Sequence, residues 1–251
     1  MLEIHDLSVR LGGKQILESV SFGLRPGGLT ALVGRNGSGK STLLACVNGQ
    51  LPCTGIMTAC GSDLARVSAR QRAKAVAILP QHWNAPHITV REMAAFGRNP
   101  YLDITGRLGQ VDRDAINAAL EAADAASLGD RYVDTLSGGE RQRAALAMIL
   151  AQDTPVVLLD EPTAHMDQCY EAAFLEKLQQ LASERNRTIL AVLHDLSQAV
   201  QYARDMLVLD GGRLVFCGTT EDCLNGQILE KTFSLNRYTV PDGDGTRSFF
   251  G

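Results

Sequence analysis

Long apolar runs are absent from this sequence, and none approaches the ~18–20 residues needed to cross a bilayer. The opening residues, Met1-Leu2-Glu3-Ile4-His5-Asp6, lack the basic start and apolar stretch of a secretory signal, so the chain is expected to stay in the cytoplasm. A basic excess is missing too. Twenty-four Lys and Arg stand against 28 Asp and Glu, and without a Lys/Arg run nucleic acid is not expected as a partner. Aromatics make up only 5% of the chain, so aliphatic side chains must build the core. Cysteines occur at 46, 53, 60, 169, 217 and 223 with no Cys-x-x-Cys pair, and a disulfide framework belongs to short secreted chains. The sevenfold spacing of the first three is interrupted by Pro52 and Gly55, with no His at ligand spacing, which argues against a metal site. The expectation is free, mostly buried thiols.

What is present is an ordinary globular composition: 45% hydrophobic and 21% charged, over 251 residues. That length suits one large α/β domain or a core with a small lobe. Apolar residues at Leu2, Ile4, Leu7 and Val9 shift phase near Asp6, and 16–22 partly alternates, so the start reads as strands. Pro26-Gly27-Gly28 turns into Leu29-Thr30-Ala31-Leu32-Val33, too short for a helix and suited to a buried strand. From 89 to 151 the pattern is helical, with Ala-rich runs. Strands return at 156–159, 188–193, 206–209 and 214–217, the last two around the hairpin signal Asp210-Gly211-Gly212. Parallel-type strands enclosing a helical insertion make an α/β architecture. Pro241-Asp242-Gly243-Asp244-Gly245 reads as a turn.

The apolar strand leads directly into Gly34-Arg35-Asn36-Gly37-Ser38-Gly39-Lys40-Ser41-Thr42, which fits the Walker A pattern. Its glycines let backbone N–H groups curl around phosphates. Lys40 reaches the β/γ phosphates, the Ser41 hydroxyl suits Mg²⁺, and the following helix adds its positive N-terminal end. Val156-Val157-Leu158-Leu159 ends in Asp160-Glu161. Asp160 fits a Mg²⁺ partner through water, and Glu161 a general base that polarises the attacking water. A strand end exposing acids to solvent is the plainer reading of the pair, and the Walker A run disfavours it.

In Leu136-Ser137-Gly138-Gly139-Glu140-Arg141-Gln142-Arg143, Ser137 and Glu140 stand at capping-box spacing. Two adjacent glycines cost helix stability, yet leave bare amides for an anion at the helix start. Here the sequence resembles the ATP-binding subunits of ABC transporters, whose signature is Leu-Ser-Gly-Gly-Gln/Glu, and the motifs follow family order along essentially the whole chain. The resemblance implies that Ser137, Gly138 and Gly139 bind the γ-phosphate of ATP held by a second copy, in a head-to-tail homodimer. It implies that Gln81 contacts Mg²⁺ and water and senses a permease, and that His194 contacts the γ-phosphate and orients Glu161. It also places Asp167 at the dimer interface, with Met166 replacing the usual leucine. His165 is read as a surface or interface residue. One position departs from the family: Leu11 stands where an aromatic usually stacks on adenine.

The implied fold is a P-loop NTPase (ABC ATPase) core with an antiparallel β subdomain and an inserted α-helical subdomain. Its divisions are a single domain over 1–251, with 1–85 and 152–251 as core and β subdomain and 86–151 as the helical signature subdomain. The stretch 42–136 is too short for the coiled-coil insertion of the DNA-repair relatives. Gly97-Arg98-Asn99-Pro100-Tyr101-Leu102, Thr154-Pro155-Val156-Val157 and the 194–199 run look most similar to the ATPases of ferric siderophore and ferric dicitrate importers. Haem or cobalamin importers and the soluble iron–sulfur assembly ATPase are the alternatives. The implied partners are transmembrane permease subunits and, indirectly, a substrate-binding protein, at the cytoplasmic face of the inner membrane. The segment Arg91 to Tyr101 is expected on the wall of the permease-docking groove near Gln81, with Arg98 exposed there to meet a permease; a solvated or intradomain salt bridge is the alternative for Arg98.

Overall fold

Alternation along the central strands sorts the core into two layers. The computed structural model describes residues 1–164, 166–242 and 245–251, apart from the side chains of Gln168, Cys169 and Asp242. His165 and the Gly243-Asp244 part of the expected turn lie outside the described residues. Six strands form one sheet in the order β10-β9-β3-β8-β7-β6: β3 (Gly28–Gly34), β6 (Val76–Leu79), β7 (Val156–Asp160), β8 (Thr188–Val192), β9 (Asp205–Asp210) and β10 (Arg213–Thr219). All neighbours are parallel except β10, which returns antiparallel from β9 through Gly211 and Gly212. Both glycines hold positive φ, the backbone that a two-residue hairpin needs. In β7, Val157 and Leu159 enter one apolar cluster while Val156 and Leu158 enter the other. Ile189 and Ala191 against Leu190 and Val192 repeat the division in β8. A sheet buried on both faces is what makes these strands read as continuous apolar runs.

The second layer is a four-stranded antiparallel sheet, β2-β1-β4-β5, made of β1 (Leu2–Leu11), β2 (Lys14–Leu24), β4 (Thr54–Ala59) and β5 (Ser62–Asp63). The phase shift read at Asp6 is a register irregularity between Ile4 and Leu7, where Asp6 takes φ 51°. Helix α1 (Lys40–Val47) lies between the two sheets, its Leu43, Leu44, Cys46 and Val47 buried in the second cluster. Lobe and connecting helices follow: α2 (Ala69–Ala75), α3 (Val90–Phe96), α4 (Gln110–Ala122), α5 (Gly138–Ala151), α6 (Gln168–Glu184), α7 (Leu196–Tyr202), α8 (Thr220–Asn225) and α9 (Ile228–Phe233). Strands β11 (Arg237–Asp242) and β12 (Gly245–Phe250) pair as a terminal ribbon. No described helix is long and apolar enough to cross a membrane.

Three expectations change here. The 89–151 stretch is not uniformly helical, because Pro100, Gly106 and Gly109 interrupt it between α3 and α4. The described cysteines are free but not mostly buried: Cys46 and Cys223 are buried, Cys53 is half-buried, and Cys60 and Cys217 are exposed, one in a turn and one on an edge strand. Arg98 is 5% exposed and lies inside the lobe. Its Nε donates to Asp112 at 3.0 Å, another guanidinium N–H donates to the Ala151 carbonyl at 2.9 Å, and the group sits 4.0 Å from the Tyr101 ring centroid. An arginine so enclosed offers nothing to a docking partner. The preceding Gly97 is equally constrained, since a Cβ there would fall 2.2 Å from the Met148 carbonyl oxygen.

Candidate nucleotide site

The parallel strands β3, β7 and β8 deliver their C-terminal ends to one edge, where an open α/β sheet makes its crevice. Strand β3 stops at Gly34, and the loop to α1 carries Gly37 and Gly39 at φ 77° and 103°. A Cβ at Gly39 would also lie 2.6 Å from Leu17, so β2 presses on the loop at that point. Asn36, Gly37, Gly39, Lys40, Ser41 and Thr42 line a 640 Å³ cavity with Gln81, Glu161, His194, Lys14 and Ile16. Gly34, Arg35 and Ser38 shape the loop behind them. Lys40 Nζ donates to the Gly34 and Arg35 carbonyls at 2.8 and 3.2 Å, and the exposed Arg35 side chain reaches Ser234 Oγ at 3.4 Å.

Glu161 is the hub of one wall of the cavity. Gln81 Nε2 donates to one of its carboxylate oxygens at 2.5 Å, and His194 Nε2 lies 2.5 Å from the other. Its φ of 53° is strained for a non-glycine residue, a backbone state that gathers at functional sites. His194 follows β8 and is held by the next residue: Asp195 caps α7, accepting from the Ser197 and Gln198 amides. Burial pushes the Asp160 carboxyl above the usual carboxylate range, opposed by a hydrogen bond from Ser41. Burial likewise pulls the Lys40 ammonium down, opposed by Glu161 and Asp160.

These residues fit Mg²⁺. Asp160 Oδ1 is buried with no hydrogen-bond partner among the described residues, next to the Ser41 hydroxyl. A buried carboxylate oxygen left unpartnered suits a hard cation, and Ser41, Gln81 and Asp160 supply the oxygen donors such an ion prefers.

The second set of residues lies elsewhere. Ser137 accepts from the Glu140 amide while the Glu140 carboxylate accepts from Ser137, so the capping box of α5 is complete. Ser137, Gly138 and Gly139 line a 360 Å³ cleft with Asp167 and Tyr170 and do not line the Lys40 cavity. Asp167 caps α6, accepting from the Tyr170 amide at 3.2 Å. Leu11 also stays out of the cavity and packs on the core behind it.

Lys14 and Ile16 are the cavity residues the sequence reading missed. Their signal was weak: Leu11 pairs with Lys14 across a two-residue Gly12-Gly13 turn, so both side chains share a face.

Residues 17–164 match the family described as ABC transporter. The chain belongs to the ABC transporter family. As an ABC ATP-binding subunit it binds ATP and is an ATPase. It is 35% identical over 238 residues to the ferric enterobactin transport ATP-binding protein FepC of Escherichia coli (strain K12), covering 94% of this chain and 88% of that one. It is 40% identical over 242 residues to the hemin import ATP-binding protein HmuV of Pseudomonas fluorescens (strain Pf0-1), covering 94% and 93%. An inward-facing structure of a metal-chelate type ABC transporter matches with TM-score 0.85 at 25% identity, over 100% of this chain and 96% of that chain.

Proposed function

We propose that this ABC ATPase drives import of a ferric siderophore or related ferric chelate through a separate transmembrane permease. The observation that carries the reading is the end-to-end likeness to a ferric enterobactin transport ATP-binding protein, together with Glu161 held between Gln81 and His194 at the mouth of a phosphate loop.

In this reading the loop amides and Lys40 hold the phosphates, and Glu161 accepts a proton from the attacking water as it approaches the γ-phosphorus. His194 orients Glu161 and contacts the γ-phosphate, and Gln81 positions the water. Ser41, Gln81 and Asp160 would hold Mg²⁺, which neutralises phosphate charge. The separation of the 137–139 cleft from the Lys40 cavity supports a head-to-tail dimer, because one chain alone leaves each half without its counterpart. Asp167 then lies at the interface, residues 86–151 act as the helical lobe of the single unit 1–251, and ATP-driven closure moves the permease. Docking falls in the 590 Å³ groove lined by Gln81, Trp83, Arg141 and Gln142, with a substrate-binding protein acting on the permease from the far side at an inner membrane.

The hemin import relative supports a second reading, haem as cargo. Uptake assays in vesicles containing the purified permease complex separate them. ATP-dependent accumulation of a ferric siderophore is the expected result. Accumulation of haemin alone would replace the cargo, and co-purification with soluble partners instead of a permease would discard import.

A further inference from the structure

His194 stands on no regular element. It occupies the junction between β8, which ends at Val192, and α7, which opens at Leu196 under its Asp195 cap. Strand β8 is fixed on both sides by its ladders to β3 and β7. The aim of the His194 ring therefore depends on where α7 is held. Leu196, Ala199 and Tyr202 bury one face of α7 in the same apolar cluster as Phe174, Leu175 and Leu178 of α6. Apolar burial is non-directional, so it fixes the separation of two helices more firmly than their lengthwise register.

Two side-chain amides supply that register. Near the start of α7, Gln198 Nε2 donates to a carboxylate oxygen of Glu171, in the first turn of α6, at 2.6 Å. At the other end, Gln179 Nε2 of α6 donates at 2.5 Å to the Tyr202 carbonyl, one of the acceptors a helix leaves unsatisfied at its C-terminus. Helix α7 is thus gripped at both ends by α6. Gln198 and Glu171 are both half-buried, where a hydrogen bond to a carboxylate is stronger than at the open surface. Helix α6 follows the stretch that begins at Glu161, so the grip joins the two loops whose side chains meet in the cavity.

We infer that Gln198 and Glu171 are positioning residues for ATP hydrolysis, their hydrogen bond fixing α7 on α6 so that His194 stays against Glu161. The inference rests on the reading in which His194 orients Glu161. Neither residue lines the Lys40 cavity, and they act only through the junction at His194. The leverage is large because His194 Nε2 lies 2.5 Å from the Glu161 carboxylate. A displacement of about 1 Å in a group that orders reacting atoms can cost about 10² in rate.

The test is steady-state ATPase of the purified full-length protein over a range of ATP concentrations. Gln198→Leu, which removes the amide at similar size, should lower kcat about tenfold with KM for ATP nearly unchanged, a partial form of that loss. Glu171→Leu should do the same, and Glu171→Gln, which keeps a side-chain carbonyl as acceptor, should recover most of the turnover. In the double leucine variant the two losses should not multiply. Gln198→Asn, one methylene short of Glu171, gives the same comparison if leucine disturbs folding, with thermal unfolding reporting the folded state of each variant. The decisive readout is the His194→Ala background, where Gln198→Leu should lower the residual turnover no further. A further loss in that background would mean a merely structural contact and overturn the inference. So would near-parental kcat in a folded Gln198 variant or in Glu171→Leu. Full turnover by His194→Ala is a separate result, because it would remove the role of His194 itself.

Discussion

Glu161 is the side chain on which the proposed chemistry converges. Its carboxylate is bridged by Gln81 and His194 and its backbone is strained, so its geometry singles it out. Glu161→Gln should keep ATP binding and lose turnover by about 10²–10⁴, the range for removing a general base. Near-normal phosphate release by this variant would take the residue out of the reaction. Asp160 makes a second case at this scale. Its carboxyl is raised by burial, so its ionised form costs stability. For a raised carboxyl, the stability contribution is present below the unfolded pKa and lost as pH rises through the folded one. Asp160→Asn should therefore melt higher than the parent at neutral pH without nucleotide, while losing activity. The gain should shrink as pH falls into the carboxylate range, which thermal unfolding across pH would reveal.

Among the elements, the 97–112 segment shows how an apparent surface feature becomes a joint. Arg98 ties α4 to the end of α5 through Asp112 and Ala151, and Gly97 lets α3 approach the Met148 carbonyl. Breaking a buried ion pair costs about 3–5 kcal/mol. Arg98→Glu, with a carboxylate facing Asp112, should thus lower the midpoint of chemical denaturation and the yield of folded protein. Selective loss of transport with an unchanged denaturation curve would contradict the buried role. In α5, the Ser137–Glu140 box serves the helix and leaves the amides of Gly138 and Gly139 at its start, where the proposed anion contact would fall.

At the level of the whole molecule, the Lys40 cavity and the 137–139 cleft are distinct on one chain, with Gly138 also bordering the groove that Gln81 and Glu161 line, and the shared-site reading is tested by mixing variants. Ser137→Arg should bind ATP through its own loop and fail to hydrolyse it, and Lys40→Ala should fail through the loop. Mixing the two variants should restore part of the activity, because the heterodimer carries one composite site with sound loop and sound signature. The result that contradicts the shared-site arrangement is full activity from a monomer at high dilution.

Local chemistry determined a good deal of this protein. The run from Gly34 to Thr42, the strand ending at Asp160-Glu161 and the Ser137–Glu140 cap are contiguous segments whose local form follows from backbone geometry, so that form was legible one residue after another. The buried strands were legible because a sheet covered on both faces demands unbroken apolar runs. Tertiary structure alone decided contacts between distant residues. Sequence distance hides that Gln81 and His194 meet at Glu161, that Lys14 and Ile16 wall the cavity in place of Leu11, and that Arg98 turns inward to Asp112. An arginine's charge says only that it needs a partner. Whether that partner is solvent, another protein or a carboxylate inside the same lobe depends on packing, which no single stretch of residues encodes.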